Sequence, residues 1–276
     1  MNKLMNAENG MLASDAAQLY FEVAGQGTPM VMLHAGIADS RQWQPNFDFF
    51  AKNYRVARYD MRGFGRSKPV AGSYRNLGDL ENVLEHLNFE VPMVLVGCSM
   101  GGTLAMDFCL SHPGQVSALV MVCSGPSGLN LDVPVPQKFA QVEVADEAGD
   151  LELVNELETQ IWFDGDTRTP AQMDANLRAL VKDMNGKALQ YDAQGLGERE
   201  HDISPAAYKR LAELDLPVLV ITGALDIPYM QAAAAFMLAE IQDCRHQVIS
   251  ATTHLPNLER PEVFNRLVAD FLQEVL

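Results

Sequence analysis

No stretch of this chain is apolar for long enough to span a bilayer, which excludes a transmembrane helix. The opening segment Met1-Asn-Lys-Leu-Met-Asn-Ala-Glu-Asn-Gly10 has no apolar h-region, so no export signal is read there and a cytoplasmic protein is expected. Positive charge is scarce. Twenty Lys and Arg face 36 Asp and Glu, for a net charge of −16. An acidic surface repels nucleic acid and anionic membranes, so neither is an expected partner. Cysteine is sparse too. Cys98, Cys109, Cys123 and Cys244 show no C-x-x-C spacing and lie in apolar runs, which reads as buried free thiols. No metal-ligand cluster, no G-x-x-x-x-G-K-[ST] loop and no dinucleotide fingerprint is present, so neither a metal nor a cofactor is implied. Internal repeats are lacking, and the only biased tract is Ala232 to Ala235.

What is present is a core-forming chain of 276 residues, 48% hydrophobic, enough for one domain carrying an insertion. Short apolar runs alternate with helical patterns. Strands are expected at Ala17–Val23, Pro29–Leu33, Tyr54–Tyr59, Pro92–Val96, Ala118–Cys123, Leu216–Thr222 and Arg245–Ser250. Helices are expected over Arg41–Lys52 (with Ser40 as N-cap), Asn76–Leu87, Thr103–Leu110, Tyr229–Ile241 and onward from Pro261. Strands that are apolar throughout belong in a mostly parallel sheet covered on both faces, an α/β fold. The rhythm breaks after Cys123. Residues 125–215 hold no convincing strand and are acidic and helical, with helices expected over Glu143–Asp150, Leu151–Phe163, Pro170–Met184 and Pro205–Leu214. They are read as a helical cap inserted between core segments 1–124 and 216–276.

The strand at Pro92–Val96 runs into Gly97-Cys98-Ser99-Met100-Gly101 and then a helix. A strand, a sharp turn and a helix with serine at the tip present the hydroxyl above the sheet edge. The turn leaves almost no room for side chains two residues before and after the serine, and glycine stands at both places. Cys98 is next to the tip, but this geometry presents the central residue, not its neighbour.

The G-x-S-x-G pentapeptide in this setting resembles the nucleophile elbow of the α/β-hydrolases, and the likeness spans both halves of the chain outside the cap. It implies a mostly parallel sheet with helices on both faces and an inserted helical cap. It also implies a catalytic order of Ser, then acid, then His. Gly223-Ala-Leu-Asp226 and His254-Leu-Pro-Asn-Leu-Glu-Arg-Pro-Glu-Val-Phe-Asn265 resemble the family's acid and histidine loops. Asp226 follows a buried strand and His254 follows the next strand, so Ser99, Asp226 and His254 are expected at one sheet edge. A serine hydroxyl needs a base, and the base needs a group that orients it. Asp60 ends an earlier strand and reads as a brace for Met61–Ser67. His34 is implied to be structural, holding its loop; His86, His112 and His246 lie in helix or strand patterns, and His201 in the cap.

An oxyanion hole needs backbone N–H groups from Met100 and from the loop after Leu33. His34-Ala35-Gly36 resembles the family's His-Gly-x motif with Ala35 in place of glycine. That register makes Gly36 the donor; with Gly36 itself in the glycine's place, Ile37 donates. Trp162 and Phe163 are candidates for the substrate pocket. Serine at position 99, not aspartate, disfavours dehalogenase and epoxide hydrolase chemistry. The expected activity is hydrolysis of a small carboxylic ester or lactone through an acyl-enzyme on Ser99, the His254–Glu259 segment resembling that of enol-lactonases and small esterases. Carbon–carbon hydrolysis in a ring-cleavage pathway and cofactor-free perhydrolysis stay open as enzymatic alternatives, and a hydrolase-fold ligand receptor as a non-enzymatic one. Apolar positions on the final helices allow a homodimer without specifying one.

Overall fold

The computed structural model describes residues 7–276; the first six residues of the segment read above for an export signal lie outside the described residues. The strands are β1 (Glu8–Ser14), β2 (Ala17–Ala24), β3 (Pro29–Leu33), β4 (Arg55–Tyr59), β5 (Ser73–Tyr74), β6 (Met93–Cys98), β7 (Val116–Val122), β8 (Glu198–Arg199), β9 (Val218–Gly223) and β10 (Cys244–Ile249). The helices are α1 (Gln44–Phe50), α2 (Asn76–His86), α3 (Met100–Ser111), α4 (Lys138–Glu147), α5 (Leu151–Thr159), α6 (Ala175–Asp192), α7 (Pro228–Glu240), α8 (Pro256–Glu259) and α9 (Pro261–Val275). Eight strands form one sheet in the order β1-β2-β4-β3-β6-β7-β9-β10. From β4 to β10 the pairing is parallel, and β2 runs antiparallel to both β1 and β4. This is the α/β-hydrolase sheet.

The apolar runs are continuous because both faces are buried. Along β6, Leu95 joins one core with α2, α3 and α7, while Val94 and Val96 join another with α1 and α9. The period-two alternation of a strand thus feeds two cores at once. Parallel strands bring every exit loop to one edge, and the loops after β3, β6, β7, β9 and β10 carry the candidate site residues.

Several local expectations differ from the structure, among them the helix expected over Pro205–Leu214, which is two 3₁₀ turns at Ala207–Lys209 and Leu211–Glu213. The strand β1 was not expected. The helix at Arg41–Lys52 is a 3₁₀ turn over Ser40–Trp43 followed by α1, and the cap is Asp39, whose carboxylate accepts the Arg41 N–H at 3.0 Å. Pro45 sits in the first turn of α1, where its missing N–H is no loss. In the cap, α6 runs to Asp192, well past Met184, and Leu151–Phe163 ends in a π-helical turn at Gln160–Asp164. The cap also holds the short β8, which pairs with β5 of the core.

Candidate active site

Ser99 ends β6 and precedes α3 with φ 51° and ψ −117°. A non-glycine residue at positive φ costs on the order of 1–3 kcal/mol and persists only where its neighbours over-determine it. They do so here. The Ser99 N–H donates to the Val122 carbonyl at 2.8 Å, and the Ser99 carbonyl accepts from Gly102 N, Thr103 N and Ser124 Oγ. A Cβ on Gly97 would overlap the Gly101 carbonyl, and one on Gly101 would overlap that of Leu33. Glycine at these two positions is a packing necessity.

The loops after β9 and β10 meet beside this turn. Leu225 N–H donates to the Thr252 carbonyl at 2.8 Å. Asp226 and His254 are in direct contact, Nδ1 to Oδ2 at 2.8 Å, with side chains 0% and 2% exposed. The other Asp226 oxygen accepts the Ile227 N–H at 2.8 Å. With the carboxylate ionised, Nδ1 carries the proton and donates, which leaves Nε2 as the bare nitrogen that can take a proton. Cys98 Sγ donates to the His254 carbonyl at 3.5 Å, so the residue beside Ser99 touches the histidine loop.

Trp162 and Phe163 occupy different places. The Trp162 ring lies over the His254 imidazole with centroids 4.4 Å apart, and its carbonyl accepts the His254 N–H at 3.2 Å. Phe163 is 1% exposed and packs in the core; its carbonyl accepts the Thr253 hydroxyl at 2.8 Å. Successive helical residues point roughly 100° apart, so Trp162 reaches the histidine while Phe163, expected in the pocket, belongs to the core instead.

Gly36 faces Met100: a Cβ built on Gly36 would lie 4.0 Å from Met100 Cβ. The Ala35 N–H is already committed to Gln42 Oε1 at 2.9 Å. Gly36, Ile37 and Met100 line a cavity of about 430 Å³ roofed by α6 and the β8 segment. A second cavity of about 250 Å³ is lined by Ser99, Met100, Cys123, Gly125, Tyr229 and Met230. Met100 therefore lines both spaces, whereas Ser99 lines the second.

His34 bridges loops. Its Nε2 accepts the Met61 N–H at 2.9 Å and its Nδ1 donates to the Ala35 carbonyl at 2.8 Å. Burial lowers its basicity, in keeping with a neutral ring. Asp60 accepts the Ser40 N–H at 2.9 Å and the Arg66 N–H at 2.8 Å, and so braces its loop.

A buried amide network was missed from sequence. Gln42 Nε2 donates to Asn257 Oδ1 at 3.1 Å, Asn257 Nδ2 donates to Asn46 Oδ1 at 3.1 Å, and Asn46 Nδ2 donates to Asn265 Oδ1 at 2.7 Å. It joins the loop bearing Gly36 to the helix after His254. Only the Asn at position 257 beside the histidine hinted at it.

Among the described residues, Cys123 Sγ, the Asp226 carboxylate and a His254 ring nitrogen lie within 4.8 Å of one another. This is a poor ion site. Burial and the nearby Asp226 charge push the Cys123 thiol well up, and it donates to the Thr253 carbonyl at 3.6 Å. The acid and the histidine already satisfy each other. Burial likewise pushes the Cys98 thiol up to about 12, which makes it a poor nucleophile.

A serine at a strained strand-to-helix turn beside an acid–histidine pair, at the C-terminal edge of this sheet, defines an α/β-hydrolase. The sequence matches the alpha/beta hydrolase family over residues 30–267, and the chain belongs to that family, a hydrolase by membership. It is 28% identical to a 2-hydroxy-6-oxononadienedioate/2-hydroxy-6-oxononatrienedioate hydrolase of Paraburkholderia xenovorans, over 92% of this chain and 90% of that one. It is 28% identical to a pimeloyl-[acyl-carrier protein] methyl ester esterase of Yersinia enterocolitica, over 93% and 98%. The enol-lactonase structure from Burkholderia xenovorans shares the fold with a TM-score of 0.76 at 21% identity, covering 96% of this chain and 100% of that one.

Proposed function

We propose that the protein is a serine hydrolase that cleaves a small carboxylic ester or lactone through an acyl-enzyme on Ser99. The observation that carries this reading is the serine held at φ 51° on the elbow, with the His254–Asp226 pair closed at 2.8 Å in the adjoining loops. In this reading, His254 Nε2 takes the Ser99 proton as the oxygen attacks the carbonyl. The resulting imidazolium is balanced by Asp226, whose hydrogen bond to Nδ1 fixes the ring. The N–H groups of Met100 and Gly36 receive the oxyanion, and the α3 N-terminus adds its dipole. His254 then gives its proton to the leaving oxygen and activates water against the acyl-enzyme. Trp162 over the imidazole keeps bulk water off that face. Likeness to the pimeloyl-[acyl-carrier protein] methyl ester esterase supports ester chemistry.

The test is turnover of p-nitrophenyl acetate, butyrate and octanoate by wild type and Ser99→Ala. We expect wild-type turnover to drop at least roughly 10⁴-fold in the variant, as it does when a triad member is removed. Undiminished turnover in Ser99→Ala overturns the assignment. A second reading, hydrolysis of a 2-hydroxy-6-oxo dioate, is favoured by the 28% likeness to the Paraburkholderia hydrolase; it predicts turnover of such a compound and none of the three esters.

A further inference from the structure

The cavity beside Gly36 and Met100 is charged in an uneven way. On the α6 side, Asp192 and Glu158 line it, and Glu158 accepts Asn185 Nδ2 at 2.7 Å. Arg62 and Arg199 line it as well. Arg62 is buried and already balanced, with Asp79 accepting from its Nε at 3.0 Å and from its Nη2 at 2.7 Å. Arg199 is not. Among the described residues it forms no ion pair, and the contact recorded for its guanidinium is Nη1 to Met100 Sδ at 3.3 Å. A thioether is a weak acceptor that leaves most of a guanidinium's five donors unused. Asp107 and Asp202 feel the charge from farther off, but their carboxylates are engaged by Ser127 Oγ and by Leu77 N–H.

The backbone under Arg199 is fixed. Its strand β8 pairs in parallel with β5, and Glu198 N–H and Glu200 N–H donate to the Gly72 and Tyr74 carbonyls at 3.0 and 2.9 Å. The cap thus delivers a cation to the residue that follows Ser99 and holds it there before any ligand arrives. Pre-placement of this kind lowers the ordering cost of binding. In a chain of net charge −16, an anionic molecule is repelled at long range, so a local cation is what would capture one.

We propose that Arg199 binds a carboxylate carried by the substrate, making the preferred substrate class the half-esters of short dicarboxylic acids such as succinate, glutarate or adipate. This rests on the ester-hydrolase reading above. The carboxylate displaces the Met100 thioether from the guanidinium and takes bidentate hydrogen bonds. Arg199 touches the side chain of Met100, the residue after Ser99, and this link is why a short chain is proposed between the carboxylate and the scissile carbonyl.

The experiment compares kcat/KM for monomethyl and dimethyl glutarate, which differ in one charge, in wild type, Arg199→Gln, Arg199→Lys and Arg245→Gln. Arg245 pairs with Glu274 on the far side of the sheet and controls for net charge. We expect wild type to prefer the monoester. The mono-to-diester ratio falls roughly 10- to 100-fold in Arg199→Gln, chiefly through KM, as when one charged hydrogen-bonding partner is lost. It recovers in part in Arg199→Lys and holds in Arg245→Gln. A ratio unchanged by Arg199→Gln, or a wild-type preference for the diester, overturns the proposal. Calorimetric titration with glutarate separates the two failures: turnover of neither ester sinks the ester reading, whereas glutarate binding that survives Arg199→Gln sinks the anion site.

Discussion

The loops that meet at Ser99 and the cap above them are fastened by opposite means. Below, most ties are buried hydrogen bonds: those of the backbone around the elbow, the His34 bridge, and the amide chain from Gln42 through Asn257 to Asn265, with the Asp60 and Glu259 carboxylates accepting loop N–H groups. Above, the ties are ionic. Arg178 grips Asp164 with Nε at 3.0 Å and Nη2 at 2.9 Å, and also Glu156, which Lys182 shares. Arg168 donates to the main-chain carbonyl of Asp164 and pairs with the Glu259 carboxylate in the core, and Arg41 reaches across to Asp183. Neutral networks hold one geometry and ignore salt, whereas part-exposed ion pairs weaken with ionic strength. The molecule keeps its reacting groups on the rigid fastening and its roof on the adjustable one.

The sharpest challenge to that division is Arg178→Ala. It leaves Asp164, 1% exposed, without its partner in the turn that carries Trp162. Stranding a buried charge costs about 3 kcal/mol or more, so we expect this loss in urea unfolding. Activity should fall through the displaced Trp162 and the cover it gives His254. A loss under 1 kcal/mol would mean that water already reaches Asp164, and that the cap ions contribute little.

Next comes Gln42→Ala. It strips the Ala35 N–H and Asn257 Oδ1 of partners and should cost about 2 kcal/mol. A similar loss of transition-state stabilisation corresponds to a fall in kcat of roughly 10- to 30-fold, because Gly36 is then free to drift from Met100. Unchanged kcat with reduced stability would show that the network serves only the fold.

The smallest effect probes the seam between the two regions. Asp107 on α3 accepts Ser127 Oγ at 2.7 Å, and Ser127 Oγ accepts Ala207 N–H at 2.9 Å, where the chain enters and leaves the cap. Burial, with Asp202 adding to it, raises the Asp107 carboxyl to about 6. Between the ordinary aspartate value and about 6 the folded chain keeps a proton that the unfolded chain gives up, so stability contributed by this group falls as pH rises through that window. Asparagine keeps the acceptor and loses the titration. Asp107→Asn should therefore gain on wild type by on the order of 1 kcal/mol from roughly pH 4 to pH 7 in thermal melts. A difference that is flat with pH rules the effect out.

What could be read from the sequence was whatever a local steric or hydrophobic rule imposes. Gly97 and Gly101 stand out because no other residue fits between packed carbonyls. The sheet strands stand out because burial on both faces demands uninterrupted apolar runs. Asp226 follows such a run, whereas His254 follows β10, a polar edge strand with only Ile249 buried, and was legible through the likeness of its loop to the family's. The strand β1 was hidden because it lies at the sheet edge with alternate residues exposed, and Glu8-Asn9-Gly10 has little strand preference. The β5–β8 ladder is two residues per strand and is set by where the cap lands. Trp162 and Phe163 are alike as adjacent aromatics in a helical pattern, and which of the two meets the imidazole depends on how that helix is set against the histidine loop. The amide chain was invisible for another reason: Gln42 and Asn257 are 215 residues apart, and single amides leave no periodic trace.

That separation has a practical meaning for anyone who recombines or redesigns this chain. The carbonyl of Gln42 and its side chain both bond Asn257, so the segment after β3 and the segment after β10 form a matched pair, like the two halves of a clasp. A histidine loop transplanted from a distant relative without an amide at position 257 would bring its histidine and unfasten the loop that carries Gly36 in the same stroke. Chimaeras should carry residues 34–46 and 254–265 together, or neither.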